Sequence, residues 1–291
     1  IKSTAAITRG IDSFWLEYQH IELSSSTTNL LVQANMRQEN NLRLKWRHRG
    51  IHNESWIQGH IDLRDDQDLF GISAGNIHQL WEGWNINIEG AYNEKSDESA
   101  AFRLMGARDR ISLGLNGQVT KRDYFGINLH GRHFKSRTGD TLGVGYGIEF
   151  NTGYRIKYAQ PEMTINLHGL LSKADLKTSL PKQVQKIIGA NRGIESVLAK
   201  SYQEAGINFR IQAGDFRPFG FVERNLHYYL DTGIFISDSS SGIGSSIEAG
   251  MGMRLFTHDD LSINGRYSTV QGGVNSIATK SIELRYSFRF D

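Results

Sequence analysis

A row of cations on one candidate strand is the feature of this sequence with the clearest chemical potential. Residues 42–49 alternate apolar side chains with four cations, Arg43, Lys45, Arg47 and Arg49. Because successive side chains of a strand point to opposite faces, the four cations share one face. A charge on a lipid-facing surface costs about 2–4 kcal/mol near the membrane midplane, so in a sheet with lipid on one side this row must face the wet side.

Charged residues of the same parity recur on other candidate strands. The set predicted to line a wet lumen comprises Arg43, Lys45, Arg47, Glu89, Arg132, Glu149, Arg210, Asp231, Glu248, Arg266 and Arg285. One interpretation is a pore wall that guides a charged or hydroxyl-rich solute. The other is a cross-strand lattice in which Arg and Glu neutralise each other and brace the wall. The sequence leaves both open.

Catalytic and metal-binding patterns are not found. The ten His residues are scattered, and none lies in an HExxH, GxSxG or comparable frame. His130 and His133 have a three-residue spacing, which on a strand puts them on opposite faces. Asp65 to Asp68 could bind a divalent cation, but a solvated turn is the favoured interpretation, and the absence of Cys argues against a thiolate metal site. The sequence therefore predicts a protein that is not an enzyme and that uses no metal or cofactor.

The elements that must position these residues are strands. Some sixteen segments alternate apolar and polar residues, as where Ile111, Leu113 and Leu115 are interleaved with small or polar residues. The last of them, 279–290, has one apolar face that includes three aromatic residues and one polar face. It resembles the C-terminal signal of bacterial outer-membrane barrels. Lipid on one side and a wet lumen on the other would produce this pattern.

The predicted fold is an all-β, antiparallel, up-and-down transmembrane barrel of sixteen strands over residues 12–291. Residues 1–11 are expected to form a leading segment from an upstream periplasmic region. An even strand count would put both ends of the barrel on the periplasmic side. The alternative is a large soluble β-sandwich or barrel, which would have to hide all these apolar faces in one core. The formal net charge of +2 argues against a nucleic-acid partner.

The segment 173–201 interrupts the strand pattern. Pro181 is suited to the first turn of a short helix, and a second helix is predicted over residues 193–200. One interpretation is an extracellular or pore-facing gate; the other is a surface loop that packs its own apolar cluster on the rim. The residues predicted to form the gate are Leu180, Pro181, Ile187, Ile188, Val197 and Leu198.

The assembled pattern resembles a known group, the C-terminal barrels of exopolysaccharide secretion proteins. The barrel size, the turn at 121–124 and the loop that carries Leu180 and Pro181 resemble most closely the Pel secretion barrel, PelB, and next PgaA and BcsC. The resemblance implies passive export of a polymer through the outer membrane of a Gram-negative bacterium. It also implies an upstream tetratricopeptide region and a PelC-like lipoprotein at the periplasmic rim. In the Pel case the cargo would be a partly deacetylated, cationic aminosugar polymer.

These observations lead to one functional prediction, an outer-membrane porin that exports a biofilm-matrix exopolysaccharide. Its partners would be the polysaccharide chain and the outer-membrane lipids. The alternatives are a general or anion-selective diffusion porin, a phage or adhesin receptor that uses the barrel as an anchor, and an outer-membrane hydrolase. A receptor would have a plugged lumen, and a hydrolase would need a Ser–His pair that the sequence does not place.

Overall fold

The structure is a computed structural model. It describes residues 2–22, 38–64, 68–96, 102, 105–182, 184–185, 193–214, 226–238, 242–254, 259–269 and 279–290. The described strands are β1 (Lys2–Arg9), β2 (Asp12–Glu22), β3 (Gln38–Arg49), β4 (Asn53–Arg64), β5 (Leu69–Trp81), β6 (Trp84–Glu94), β7 (Gly106–Gly117), β8 (Asp123–Ser136), β9 (Thr141–Lys157), β10 (Glu162–Leu176), β11 (Ser201–Ala213), β12 (Leu226–Ser237), β13 (Gly242–Met253), β14 (Asp259–Ser268) and β15 (Thr279–Phe290).

The fifteen strands form one sheet with up-and-down topology. Every strand pairs antiparallel with its neighbour in sequence, and β1 pairs with β15 to close the barrel. The closing ladder joins Thr4–Ile7 to Ser287–Phe290, so among the described strands residues 279–286 of β15 have no ladder partner on the β1 side. The fold is therefore all-β, as predicted. No helix of the described residues is long and apolar enough to cross a membrane.

The described strands number fifteen rather than the predicted sixteen. The predicted strand 28–37 lies outside the described residues. Of the predicted strand 99–107, residues 106 and 107 belong to β7, Phe102 and Met105 are helical, and residues 99–101, 103 and 104 lie outside the described residues. Conversely, Lys2–Arg9, expected to precede the barrel, forms β1 and pairs with β2 over eight residues. The wall thus includes most of the segment that had been assigned to an upstream region.

The odd strand count makes the closing pair parallel. Thr4 to Ile7 pair with Ser287 to Phe290, in the one parallel ladder among the described strands. Consequently β1 begins at the opposite end of the barrel from the end at which β15 finishes. This differs from the even-count prediction, in which both ends of the wall share one side.

The two ends of the barrel differ in their connections. We call the end at which the even-numbered strands finish the loop rim; it carries the connections 95–105 and 177–200. We call the opposite end the turn rim. There β5 reverses into β6 at Gly83, whose φ of 78° favours glycine, with the Trp81 and Trp84 rings 5.8 Å apart.

The two faces of the wall have opposite chemistry. On β3, Leu42 and Leu44 point outward and are 38% and 58% exposed, whereas Asn41 points inward and is 1% exposed. The same alternation leaves apolar residues exposed on the outer face of other strands, among them Ile57, Ile72, Ile88, Ile111, Leu129, Leu167, Ile207, Ile234, Met251 and Ile263. Many buried inner-face positions are polar, among them His60, Asp62, Ser112, His130, Arg132, Ser172 and Ser262. An apolar exterior and a polar interior suit a wall between lipid and a wet lumen.

Candidate functional site

The basic row of β3 lies on the inner face, where each cation has a partner on a neighbouring strand. Arg43 lies 3.6 Å from a Glu17 carboxylate oxygen on β2. The Lys45 ammonium sits 4.6 Å from the centroid of the Trp56 ring. Arg47 stacks over Trp15 at 4.4 Å and lies 3.6 Å from Glu54 on β4. Flanking strands thus hold the row in place by charge and by cation–π contact.

A second group forms a ladder across four successive strands. The sheet register places Arg210, Asp231, Glu248 and Arg266 directly opposite one another on β11, β12, β13 and β14. Arg210 and Asp231 are 4.0 Å apart, as are Arg266 and Glu248. The Tyr229 hydroxyl donates to Glu248 at 2.6 Å, and Arg210 lies 5.2 Å from the centroid of the same ring. Two cations bracket two carboxylates, which balances the charge of the ladder.

A third group spans β6 to β10. Arg110 binds Glu89 and lies 3.2 Å from Glu94. Arg108 donates to Glu94 at 2.7 Å.

The same group continues on β8 and β9, where His130 lies 3.6 Å from Glu149. Arg132, which is 6% exposed, donates to the Ser172 hydroxyl and stacks over Phe134.

Ten residues of the predicted pore-lining set therefore have described side chains on the inner face, and they fall into these three groups. The eleventh, Arg285, lies in β15 opposite Ser262, and its side chain is outside the described part of the chain. Such a lattice offers alternating donors and acceptors to a passing solute, with cation and carboxylate close together in each group. A transport role for any single residue stays a prediction.

An apolar cluster closes over the inner wall at the loop rim. We call it the mouth cluster; it comprises Phe102, Met105, Phe134, Leu142, Ala174, Leu180, Val184, Ile194, Val197 and Leu198. Phe134 shares the inner face of β8 with His130 and Arg132, so the cluster packs on the lumen side. Phe102 meets Phe134 edge to face, with ring centroids 5.6 Å apart.

The segment 177–200 supplies half of this cluster. Val197 and Leu198 are 0% and 1% exposed, and Leu180 is 9% exposed, while Pro181 is only partly buried. Ile187 and Ile188 lie outside the described residues. The predicted helix over 193–200 is only a 3₁₀ turn at Ile194–Ser196, in which the Ser196 and Val197 N–H groups donate to carbonyls three residues back. Residues 173–176 extend β10 rather than belonging to the loop.

The connection 95–105 is a second element over the lumen, and it was missed in the sequence. The Lys95 ammonium binds Glu39 on the inner face of β3, three strands from the end of β6. Glu39 and Ser96 are each 1% exposed. At its other end, Phe102 and Met105 enter the mouth cluster. The described residues of this connection therefore contact the inner wall at two places, Lys95 on β3 and Phe102 on β8.

The three-residue spacing of His130 and His133 does not bring these two side chains to one site. His130 faces the lumen, whereas His133 bonds Asp109 at 3.1 Å and Thr141 at 3.0 Å from the other face of β8. Over the residues that the structure describes, no group of three or more His, Cys, Asp or Glu side chains is arranged to hold a metal ion.

Cysteine labelling tests the assignment of inner and outer faces. The sequence has no Cys, so a single introduced Cys is the only thiol that a maleimide can label. We expect Arg43→Cys to react with a charged, water-soluble maleimide in intact vesicles, because it faces the lumen. Leu44→Cys, one residue away and outward, should resist that reagent in the folded barrel and react with it only after unfolding in denaturant, because a thiol that faces lipid is shielded and not ionised. Equal labelling of both by the charged reagent would contradict a lipid-facing outer wall.

The chain resembles known outer-membrane barrels both in sequence and in fold. The sequence matches the family model of the PelB C-terminal beta barrel domain over residues 4–289. A search of curated proteins gives no match. A bacterial polysaccharide outer membrane secretin superposes with a TM-score of 0.66 at 7% identity, covering 96% of this chain and 86% of its own. OccK11 of Pseudomonas aeruginosa gives a TM-score of 0.43 at 9% identity, covering 94% and 75%. The likeness to the secretin is one of fold.

Proposed function

Because this chain belongs to the PelB C-terminal β-barrel domain family, we propose that it exports an exopolysaccharide from the periplasm to the cell surface. It is a β-barrel channel of the outer membrane of a Gram-negative bacterium. The observation that carries the proposal is the inner wall, where the described residues form three groups of paired charges and aromatic rings behind an apolar exterior.

A paired lattice suits a long hydroxyl-rich polymer. Conduction requires contacts that are favourable enough for the solute to enter and weak enough for it to leave. Ion-paired Arg and Glu side chains can exchange hydrogen bonds with hydroxyl groups without presenting a large unbalanced charge. No bond is made or broken; the protein lowers the barrier to crossing lipid by supplying a wet, hydrogen-bonding path.

The mouth cluster supports a gate at the extracellular end. The turn rim, where β15 finishes, is assigned to the periplasm, so the loop rim faces outward. The segment 177–200 and the connection 95–105 meet over the lumen through Phe102, Val197 and Leu198. Displacing them outward would uncover the inner wall. The gate therefore has two parts, where the sequence indicated one.

The proposed partners lie at the turn rim and in the surrounding lipid. An upstream tetratricopeptide region and a PelC-like lipoprotein would deliver the polymer at the periplasmic rim. The exposed apolar residues of the outer face would contact lipid. These assignments rest on the family and on the orientation of the barrel.

Deletion of the gene in its own host tests the function. Extracellular polysaccharide should be lost and polymer should accumulate in the periplasm, while uptake of small hydrophilic solutes stays unchanged. Re-expression of the intact chain should restore surface polymer. If polymer persists at the surface while small-solute uptake falls, the protein is a diffusion porin, general or anion-selective. If both persist and only phage or adhesin binding is lost, the covered mouth belongs to a receptor.

We also propose sixteen strands for the barrel in the membrane. The parallel β1–β15 ladder has four residue pairs, whereas the β1–β2 ladder has eight. One more strand in this seam would make every pairing antiparallel. Supplied from the N-terminal side of Lys2, it would also start at the periplasmic rim, where the upstream region is proposed to lie.

Disulfide crosslinking in native membranes decides the strand count. Ala5→Cys with Leu16→Cys, partners across β1 and β2, should crosslink on oxidation. Ala5→Cys with Phe288→Cys, partners across the seam, should not, because an inserted strand separates them by about two strand spacings of 4.7–4.9 Å each. Efficient crosslinking of the seam pair would establish the fifteen-strand closure and overturn the proposal.

A further inference from the structure

A concave pocket lies in the inner wall below the mouth cluster. It has a volume of about 190 Å³ and spans β7 to β11. Its lining consists of Arg108, Arg110, Asn128, His130, Arg132, Glu149, Leu170 and Tyr202. Sites for drug-sized ligands occupy about 300–1,000 Å³, so this pocket suits a single small ring rather than a large ligand. Arg132, which also stacks on Phe134, connects it to the cluster above.

The polar groups of the pocket are mostly donors. Three guanidinium groups, from Arg108, Arg110 and Arg132, line it, and a guanidinium group has no acceptor. Two of the carboxylates that balance them, Glu89 and Glu94, bond the same guanidinium groups without lining the pocket. A ligand in this pocket must therefore bring acceptor oxygens.

The charges and the hydrogen-bond acceptors of the pocket further restrict which ligands it can bind. The three guanidinium groups are matched by three carboxylates, those of Glu89, Glu94 and Glu149. A neutral ligand preserves this balance, whereas an ammonium group would meet three guanidinium groups and only one carboxylate, that of Glu149, among the side chains that line the pocket. One protein acceptor is ready for a ligand donor, since the Asn128 Oδ1 atom is buried and has no hydrogen-bond partner. Leu170 and Tyr202 add apolar surface for ring C–H groups.

We propose that this pocket is a subsite for one neutral saccharide unit of the exported polymer and that it disfavours a cationic amino-sugar unit. Carbonyl or hydroxyl oxygens of the sugar accept from the guanidinium groups, and one sugar O–H or N–H donates to Asn128. The subsite rests on the proposed export function and adds to it a site at which the chain pauses just before the gate.

Calorimetric titration of the purified full chain in detergent tests the subsite. The probes are three tetrasaccharides: N-acetylglucosamine (neutral), glucosamine (cationic) and galacturonate (anionic). We expect the neutral probe to bind about tenfold or more tightly than the cationic one, a difference of about 1.4 kcal/mol. Equal or tighter binding of the cationic probe overturns the selection. Tighter binding of the anionic probe overturns the neutral assignment.

Two substitutions test whether the neutral probe binds in this pocket. Asn128→Leu removes the acceptor and Arg132→Lys replaces a planar donor with a point charge; each should weaken the neutral probe about tenfold. The matched control is Asn208→Leu, on β11 outside the pocket, which should bind as the unaltered chain does. The circular dichroism spectrum confirms that each variant folds. Unchanged binding in both folded pocket variants overturns the site, and if gene deletion still blocks export, the proposed function stands without it.

Discussion

Removing residues 178–199 and joining Lys177 to Lys200 through a short glycine–serine linker should raise single-channel conductance in planar bilayers several-fold. The strands on either side are already paired through Lys173 and Ser201, so the wall should close without the loop. The deleted segment carries Leu180, Val184, Ile194, Val197 and Leu198, half of the mouth cluster. Its loss exposes the polar inner wall to the outer solution.

Point substitutions keep this test independent of the deletion. Val197→Asp puts a carboxylate where the side chain is 0% exposed, so it should displace the loop and raise conductance as the deletion does. Glu195→Ala, at an exposed position of the same 3₁₀ turn, is the matched control and should conduct as the unaltered chain does. A large conductance in the unaltered chain, or no change on deletion, would contradict a gate.

Lys95→Met should destabilise the barrel and release the connection 95–105. It removes the ammonium group that binds Glu39, a carboxylate that is 1% exposed. Breaking a buried pair by removing one partner costs about 3–5 kcal/mol, mainly because the remaining charge stays buried. We expect the free energy of unfolding in urea to fall by about that amount, and conductance to rise as the connection loses its attachment to β3.

Two further variants show whether the loss of stability comes from breaking the buried Lys95–Glu39 pair or from removing any cation. Adding Glu39→Gln to Lys95→Met should recover part of the lost stability, because no charge is then left buried. Arg49→Met removes the cation of the Arg49–Glu54 pair, whose Arg side chain is 58% exposed, and should cost less than about 1 kcal/mol. Equal costs for Lys95→Met and Arg49→Met would show that the Lys95–Glu39 contact does not anchor the connection.

The barrel class could be predicted because its signal is local. Outward Leu42 and Leu44 alternate with Arg43 and Lys45, and a two-residue period survives errors in strand boundaries. The strand Lys2–Arg9 was missed because its residues, Lys-Ser-Thr-Ala-Ala-Ile-Thr-Arg, contain one large apolar side chain and give almost no alternation. The predicted strand 99–107 failed for a related reason: Phe102 and Met105 are three residues apart, a helical spacing.

The pairing of side chains along the inner wall could not be predicted because it depends on register. Arg210, Asp231, Glu248 and Arg266 are opposite one another only because of the lengths of three separate connections, and a one-residue slip would reverse the face of a strand. The Lys95–Glu39 contact joins residues 56 positions apart, one on β3 and one just after β6. The periodicity of a strand carries no information about such a contact.

Efflux of oligosaccharides from vesicles tests polymer export most directly. Vesicles that contain the chain would be loaded with fluorescently end-labelled N-acetylglucosamine oligomers of increasing length, together with a small neutral sugar as reference. With the 178–199 deletion, oligomers far longer than the barrel wall should escape at a steady rate, and the unaltered chain should hold them back. Rapid escape of the small sugar with complete retention of long oligomers, even after deletion, would show a diffusion porin and contradict an export conduit.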